Sequence, residues 1–412
     1  MSRRNHVFSG RNAPIPFPGY FPAKIGKVSG CRVWDHESGK NYIDLWMGFG
    51  ALLFGHADAH SADTVARFVH EYGFSHSYCH DAESELAGRL AELVPCAEFS
   101  RFAVTGQEAT SYAVRMARAA TARERLLLVQ GGYHGANDAT GFRSPAGIPS
   151  ASTRLISLVP FGDIGAAARH LDSGQYAAFM LEPVLGNNTV VVPPEGYLAA
   201  IREICTRNGT MLIFDEVMTG FRNNIGGAQS DFGVVPDLAT FGKALGGGIP
   251  ISAICGSESA MSALYPIGPV AQEGTFYGTP LAVRMAIETI DRYRQEDTIG
   301  FIAAMTDAIL RPVRSWIEVS GAPVCVSTYG GMFSIAFIAE PAEQDPGIPE
   351  YRFARFVHAM WSRGFLYPPI PTEPAFLSAA HQQVRDQLAE SLLSAVQDAV
   401  AATASAKMER QP

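Results

Sequence analysis

The sequence predicts an α/β protein in which helices cover both faces of a mostly parallel sheet, together with a smaller α+β domain. Short apolar runs bounded by turn residues lie between residues 102 and 255, and helical segments separate some of them. Strands that are apolar on both faces and alternate with helices are typical of a buried parallel sheet. Beyond residue 280 the pattern changes to a long helical stretch, one strand-like run and two further helices, which predicts the second unit.

The elements are predicted in chain order from turn and periodicity signals. Residues 1–30 are rich in proline, which interrupts helices, so they predict an extended arm. Residues 31–42 alternate apolar and polar positions around a turn, which predicts a hairpin. The remaining predicted elements are helices at 83–94, 108–120, 197–205, 280–319, 351–363 and 381–403, and strands at 102–104, 126–129, 177–181, 211–214, 238–241, 251–255 and 331–338.

The length of 412 residues is enough for about two to three domain-sized units. We predict that residues 1–50 form the arm and a segment of the smaller domain. Residues 51–285 are predicted to form the large domain. Residues 286–412 are predicted to form a linking helix and the rest of the smaller domain.

Composition and charge exclude several classes of protein. The net charge is −8, so no overall positive field is available to neutralise a nucleic-acid backbone. No run of about 18 apolar residues occurs, so no membrane-spanning helix is predicted. The six cysteines are scattered singly, without a CxxC pair, which indicates reduced thiols and a cytoplasmic location.

Two carboxylates follow the apolar run at residues 211–214. Asp215 and Glu216 are therefore predicted at the carboxyl edge of the sheet, where α/β proteins bind ligands. One interpretation is the metal-supporting aspartate of a nucleotide hydrolase, which also needs a GxxxxGK[ST] phosphate loop. That loop is absent, because no Gly-Lys pair of the chain is followed by Ser or Thr. The structural alternative is two acids in a solvated loop.

A lysine follows a second apolar run. Lys243 comes two residues after the end of the strand predicted at 238–241 and precedes three glycines at 246–248. Such flanks place the ammonium near the sheet edge, where partial burial lowers the pKa of an amine and favours Schiff-base formation. A lysine and an aspartate on separate strands are what pyridoxal phosphate needs, because the lysine holds its aldehyde carbon and the carboxylate keeps its ring nitrogen protonated.

Two further strand ends supply candidate cofactor contacts. Residues 105–108, Thr-Gly-Gln-Glu, lie between a predicted strand and a predicted helix, so their amides form a site for the cofactor phosphate. Tyr133, which follows the strand at 126–129, is placed to cover the ring face. The structural alternatives are a plain helix cap and a core tyrosine.

Together these motifs resemble a known family. The motifs, in order, are TGQEAT at 105–110, GGYHG at 131–135, LEPVLGN at 181–187, LIFDEVMTGFR at 212–222, FGKALGGGIP at 241–250 and EGTFYGTPLA at 273–282. They resemble the class-III pyridoxal-phosphate aminotransferases of fold type I, with the strongest likeness to glutamate-1-semialdehyde aminomutase and its relatives, including aminotransferases of aminoglycoside biosynthesis. The resemblance implies a mostly parallel, seven-stranded sheet and a homodimer with shared active sites.

The resemblance also implies roles for individual residues. Lys243, Asp215 and Tyr133 are the implied catalytic residues: the first forms the Schiff base, the second pairs with the ring nitrogen, and the third stacks on the ring. The other implied cofactor contacts are Val217 under the ring, Asn187 near the phenolic oxygen, Gly106 and Gln107 at the phosphate, and Thr275 from the partner subunit of the dimer.

The substrate is predicted from groups that the sequence lacks. The arm has no Pro-Val-Arg of the kind that binds the substrate carboxylate in aminomutase relatives, and residues 366–370 lack the C-terminal arginine of enzymes that act on α-amino acids. We therefore predict an amine donor and a carbonyl acceptor without an α-carboxylate, such as a 6′-oxo aminoglycoside in antibiotic biosynthesis. Glu373 lies in a stretch that resembles the aminomutases and is predicted to face the substrate.

Three alternative functions remain open from the sequence. The first is glutamate-1-semialdehyde 2,1-aminomutase. The second is a pyridoxal-phosphate epimerase of an amino sugar, which needs a second proton donor opposite Lys243, either Tyr133 or a cysteine. The third is a binding module that has this fold but no catalytic activity.

Two pairs of histidines have the i,i+4 spacing of zinc ligands on a helix. They are His56 with His60 and His76 with His80, and neither pair has the HExxH pattern. Because histidines outside metal sites are commoner, no metal site is predicted.

Overall fold

A computed structural model describes residues 24–74, 78–143, 145–339 and 347–409, with side chains up to residue 401. Most of the predicted N-terminal arm and His76 lie outside these ranges. Within them, the strands form three separate sheets of seven, four and three strands.

The strands and helices have the following bounds. The strands are β1 (Ile25–Ser29), β2 (Arg32–Asp35), β3 (Asn41–Asp44), β4 (Phe99–Ala103), β5 (Arg125–Val129), β6 (Ile156–Val159), β7 (Tyr176–Leu181), β8 (Met211–Asp215), β9 (Leu238–Phe241), β10 (Ser252–Gly256), β11 (Val324–Tyr329), β12 (Met332–Phe337), β13 (Phe365–Leu366) and β14 (Ala375–Phe376). The α-helices are α1 (Met47–Gly50), α2 (Ala59–Tyr72), α3 (Asp81–Leu93), α4 (Gly106–Thr121), α5 (Ser150–Thr153), α6 (Ile164–Leu171), α7 (Tyr197–Asn208), α8 (Ala228–Phe232), α9 (Glu258–Met261), α10 (Pro280–Gln295), α11 (Thr298–Ser320), α12 (Ile348–Ser362) and α13 (Arg385–Glu409). Two 3-10 helices cover Lys243–Gly246 and Ala379–Val384.

The large sheet has the strand order β4-β10-β9-β8-β7-β5-β6. Strand β10 is antiparallel to both of its neighbours, and the other pairs are parallel. The predicted α/β class with a mostly parallel, seven-stranded sheet is therefore confirmed. Every residue of β7 and β9 is buried, as expected for central strands with helices on both faces.

The sequence did not predict the edge strand β6. Its residues Ile156, Ser157 and Leu158 are only partly buried or exposed, and it pairs on one side alone, with β5. An edge strand needs no continuous apolar run, so its sequence carries a weak signal. The single helix predicted at 280–319 is two helices in the structure. Helix α10 ends at Gln295, and Asp297 adopts a left-handed φ of 46° before α11 begins.

The two smaller sheets combine both ends of the described chain. Strands β2 and β3 form the predicted antiparallel hairpin, and β3 then pairs in parallel with β13, with Ile43 opposite Phe365. The second small sheet contains β11, β12 and β14, and α12 and α13 pack together beside it. Among the helices of the described ranges, none is both long enough and apolar enough to cross a membrane.

Candidate active site

A cavity of about 330 Å³ opens at the carboxyl ends of β5, β7, β8 and β9. This is the edge at which α/β sheets bind ligands, because the loops after parallel strands converge there. Seven of the predicted site residues line the cavity: Gly106, Gln107, Tyr133, Asn187, Asp215, Val217 and Lys243. Residues from four separate strand ends and from the start of α4 are thus brought together.

Asp215 is the last residue of β8 and is buried at the floor of the cavity. Its Oδ1 atom accepts hydrogen bonds from Thr240 Oγ1 and from the backbone N–H of Val217, both at 3.1 Å. Its Oδ2 atom lies 2.7 Å from His134 Nδ1. In this position the carboxyl group would pair with the ring nitrogen of a bound cofactor.

His134 is a site residue that the sequence analysis did not identify. Its backbone carbonyl accepts hydrogen bonds from Thr110 Oγ1 at 2.8 Å and from Thr140 Oγ1 at 2.9 Å, which fix the loop that carries it. With Asp215 as the acceptor of this contact, the ring proton of His134 is assigned to Nδ1. The signal in the sequence was its place in the GGYHG motif, directly after the predicted ring contact Tyr133.

Lys243 begins the short 3-10 helix after β9, with a left-handed φ of 45°. Its side chain is half-buried and lines the cavity. Burial lowers the pKa of the Lys243 amine, and the positive charge of Arg222 adds to that shift. Three negative charges act against it, those of Glu182, Asp215 and Glu373. An amine with a lowered pKa is more readily available in the neutral form that attacks a carbonyl.

The start of α4 provides a site for an anionic group. Thr105 caps the helix through a capping box with Glu108, so its hydroxyl is engaged within the helix. The side-chain oxygen of Gln107 accepts from the backbone N–H of Ala136 at 2.9 Å. The first amides of the helix have no intrahelical acceptor and carry the positive end of the helix dipole.

Gly106 allows this helix start to approach the neighbouring loop closely. A Cβ atom at residue 106 would lie 2.7 Å from Cγ1 of Val217, which is closer than side chains tolerate. The two residues therefore pack as a pair at the cavity wall, and the backbone amides of α4 stay accessible from the cavity.

Glu182 is a second buried residue that the sequence analysis quoted without a role. It follows β7, and its neighbour Leu181 pairs with Phe214, so the Glu182 and Asp215 carboxylates extend from adjacent strand ends. Glu182 Oε1 accepts from the backbone N–H of Tyr133 at 2.9 Å, and both oxygens accept from Asn187 Nδ2 at 3.1 Å.

Two predicted site residues lie away from the cavity lining. Thr275 is exposed on the segment before α10, where Tyr277 donates a hydrogen bond to Glu108 at 3.0 Å. Glu373 is half-buried, and burial raises the pKa of its carboxyl while the charges of Lys243 and Arg143 lower it. The charges of Glu373 and Lys243 each favour the ionised form of the other, and Glu373 does not line the cavity.

The three described histidines of these pairs contact other residues of the chain, and for His80 that residue is Gly278, whose carbonyl oxygen lies 2.8 Å from Nε2. His56 precedes α2 and lies 2.7 Å from Asp44 Oδ2, whereas His60 lies within α2 and 2.6 Å from Glu288 Oε1. Across the described ranges, no group of three or more His, Cys, Asp or Glu side chains is placed to hold a metal ion.

The cavity fits pyridoxal phosphate. A buried carboxylate, an amine and a helix N-terminus surround a space in the size range of cofactor sites. Asp215 would hold the ring nitrogen, Lys243 the aldehyde carbon, and the start of α4 the phosphate. When bound, the cofactor supplies an electron-accepting ring that stabilises negative charge at the substrate carbon.

Comparisons with known proteins agree with the fold and the site. The profile of the family described as aminotransferase class-III matches residues 18–141 and 162–400. A glutamate-1-semialdehyde 2,1-aminomutase from Archaeoglobus fulgidus is 33% identical over 392 residues, which cover 92% of this chain and 93% of that protein. The chain therefore belongs to the class-III aminotransferases, and it is a pyridoxal-phosphate-dependent enzyme rather than a binding module without catalytic activity.

Solved structures show the same architecture. An omega-transaminase from Sphaerobacter thermophilus superposes with a TM-score of 0.84 at 27% identity, covering 91% of each chain. A glutamate-1-semialdehyde aminomutase from Pseudomonas aeruginosa PAO1 gives a TM-score of 0.79 at 23% identity, covering 91% of this chain and 87% of that one. The second similarity supports the fold alone.

Proposed function

We propose that this enzyme transfers an amino group from an amine donor to an aldehyde or ketone without an α-carboxylate, with an oxidised amino sugar of antibiotic biosynthesis as the acceptor. The observation that carries this proposal is the charge of the cavity wall. Among its described lining residues, Lys243 is the one lysine or arginine, while Glu182 and Asp215 are both acidic. Because no arginine is among these lining residues, the cavity wall offers a substrate carboxylate no guanidinium, which favours an acceptor without a carboxylate.

Lys243 has two roles in the proposed chemistry. Its Nζ amine would hold the cofactor in the resting enzyme. Once released, the same amine would remove the α-proton of the donor and, in the second half of the reaction, deliver a proton to the acceptor carbon that gains the amino group. Asp215, supported by His134, keeps the ring nitrogen protonated. Tyr133 and Val217 are proposed to bound the two faces of the ring.

We also propose that two copies assemble with shared active sites. Thr275 is exposed beside Phe276, and the Phe276 side chain is 63% exposed. Phe74 and Tyr78, between α2 and α3, are 74% and 80% exposed. Large exposed aromatic side chains are typical of surfaces that a partner covers, and in such a dimer Thr275 would reach the cofactor phosphate of the other subunit. The six free cysteines support a cytoplasmic location.

Glutamate-1-semialdehyde aminomutase is the second candidate function. The relative from Archaeoglobus fulgidus favours it, and so does the exposed guanidinium of Arg143, whose Nη1 atom is 3.5 Å from the Asn187 carbonyl at the edge of the cavity. An arginine at that place offers a substrate carboxylate a partner that the sequence analysis did not identify. The epimerase alternative depends on Tyr133, because none of the six cysteines lines the cavity.

A half-reaction screen tests the proposal. Protein loaded with pyridoxamine phosphate is mixed in turn with an oxidised aminoglycoside, glutamate semialdehyde and simple aldehydes, and recovery of the visible band of the Lys243-bound cofactor is followed. Recovery with the oxidised aminoglycoside is expected, and Lys243→Ala should show none. Recovery with glutamate semialdehyde alone would assign the aminomutase function instead, and inversion of an amine without net transfer would assign the epimerase.

A further inference from the structure

Glu182 lies between two loops of the active site and has no residue-specific role in the chemistry proposed above. It is 1% exposed and follows β7 directly. Four groups donate hydrogen bonds to its carboxylate: the backbone N–H groups of Tyr133, Gly186 and Asn187 and the Asn187 side-chain amide, at 2.9 to 3.3 Å. Each partner is a donor, so both oxygens act as acceptors, which is the pattern of an ionised carboxylate.

These donors belong to two different loops. Tyr133 lies on the loop after β5, and Gly186 with Asn187 lies on the loop after β7. The Glu182 carboxylate therefore joins two loops. One carries Tyr133, which is proposed to stack on the ring, and the other carries Asn187, which is proposed to lie near the phenolic oxygen. Because Asn187 Nδ2 contacts both oxygens at 3.1 Å, the orientation of its amide is fixed as well.

The charge of Glu182 also acts on the proposed proton carrier. Glu182 and Lys243 line the same cavity. Burial lowers the pKa of the Lys243 amine, and the negative charge of Glu182 acts against that shift. Burial raises the pKa of the Glu182 carboxyl, and the negative charge of Asp215 adds to that shift. The positive charge of His134 and the hydrogen bonds from Tyr133 and Asn187 act against it. Asp215 is paired with His134 at 2.7 Å, whereas no lysine or arginine side chain donates to Glu182 in the described structure.

We propose that Glu182 is a positioning residue with two separable effects: its shape aligns Tyr133 and Asn187 on the cofactor ring, and its negative charge favours the protonated form of the Lys243 nitrogen. The proposal rests on the proposed cofactor contacts of Tyr133, Asn187 and Lys243. It does not depend on the acceptor, since any substrate of this site meets the same three groups.

Two variants separate the shape of this side chain from its charge. Glu182→Gln keeps the size but removes the charge, and its NH2 group cannot accept from the loop amides. Glu182→Asp keeps the charge but shortens the side chain. Glu216→Gln is the matched control, because Glu216 is equally buried and accepts from Ala228, Gln229 and Thr219, yet it does not line the cavity.

The experiment measures the pH titration of the visible band of the bound cofactor, the rate of cofactor loss, and thermal stability. Glu182→Gln should lower the titration midpoint by about one pH unit, because the Lys243-derived cation loses an anionic neighbour. Glu182→Asp should keep the midpoint but lose cofactor several-fold faster. Glu216→Gln should lose thermal stability without changing the midpoint or the rate of cofactor loss.

The proposal is overturned by a Glu182→Gln holoenzyme with the midpoint of the parent enzyme, or by Glu216→Gln moving the midpoint equally. If Glu182→Gln does not fold, Glu182→Asp decides: an unchanged midpoint with faster cofactor loss supports the proposal, and parent-like cofactor retention contradicts it. A holoenzyme that titrates as expected but transfers no amine from any donor would disprove the proposed function and leave the role of Glu182 intact.

Discussion

The Nδ1 atom of His134 lies 2.7 Å from Oδ2 of Asp215, and both side chains are buried at the floor of the cavity. The imidazole comes from the loop after β5 and the carboxylate from the end of β8, so the contact joins two strand ends that are separated by β7 in the sheet. The hydrogen bond fixes the orientation of the carboxylate before any ligand binds. The Asp215 carboxylate is therefore ordered during folding, and the reaction requires no further free energy to orient it.

We expect His134→Ala to reduce kcat/KM by roughly 10- to 100-fold, because a hydrogen bond to a buried charged group contributes about 1.5–3 kcal/mol. His134→Asn should recover part of this loss, since its amide can donate to Asp215. The measurement is steady-state kinetics together with the visible spectrum of the bound cofactor. An Ala variant with parent-like kcat/KM would show that the contact does not matter for turnover.

Gly106→Ala should weaken cofactor binding by about tenfold or more. The new methyl group would lie 2.7 Å from Val217 Cγ1, and overpacking at such a distance costs about 1–3 kcal/mol. Equilibrium dialysis of the cofactor provides the measurement. Gly88→Ala on α3 is the matched control, because nothing lies within 4 Å of its added methyl group. Val217→Ala alone is the reference for the double variant. Equal binding in Val217→Ala and Gly106→Ala/Val217→Ala would confirm the clash as the cause, and a further loss in the double variant as large as that of Gly106→Ala would contradict it.

Arg143→Gln should leave kcat/KM for an oxidised amino sugar within about threefold of the parent enzyme, because no substrate carboxylate reaches the guanidinium. The same variant should raise KM at least about tenfold if the physiological substrate is glutamate semialdehyde, whose carboxylate needs a cation. Arg154→Gln, on the exposed end of α5, is the control for loss of a positive charge. A tenfold loss with the amino sugar would contradict the proposed acceptor class.

Stability should decrease as the pH falls from 6.5 towards 4 because of His381. Its Nδ1 atom accepts from the backbone N–H of Ser378 at 3.0 Å, so the proton on Nε2 is donated to the Asp44 carbonyl at 3.0 Å. Burial lowers the pKa of His381 from 6.5 to about 4. The unfolded chain then binds more protons than the folded one between these two values, which removes up to about 3 kcal/mol of stability at 1.36 kcal/mol per pKa unit.

Urea unfolding across this pH range measures the effect of His381. His381→Gln should be less stable than the parent at neutral pH, and its stability should depend less on pH between 6.5 and 4. A parallel pH dependence in both proteins would assign the acid sensitivity to other groups.

The sequence predicted the central sheet well, because β7, β8 and β9 are buried on both faces and their apolar runs are continuous. It also predicted which strand ends carry Asp215 and Lys243, since Asp215 ends its strand and Lys243 lies two residues beyond the end of its strand. The direction of β10 was not predictable in this way. Residues 252–256 are fully buried whether the strand runs parallel or antiparallel, so its pattern of side chains is the same in both cases.

The supporting residues of the site were harder to predict than those that face the cavity. His134 contacts Asp215, 81 positions away, and Glu182 contacts Tyr133, 49 positions away, and no local pattern marks such a partner. The other partners of Glu182, Gly186 and Asn187, lie in its own motif. The chemical types were visible in the GGYHG and LEPVLGN motifs, but the pairing of His134 with Asp215 depends on the order of β5, β7 and β8 in the sheet. That order is set by the packing of the whole chain.

The parallel pairing of β3 with β13 has a consequence for synthesis of the chain. Residues 41–44 emerge from the ribosome more than 300 residues before Phe365 and Leu366, the strand that completes their sheet. The β3 edge of the amino-terminal hairpin therefore has no β13 to pair with through most of translation. Contacts between residues this distant in sequence also form slowly. A truncated product that ends before residue 365 would keep that edge open to other chains.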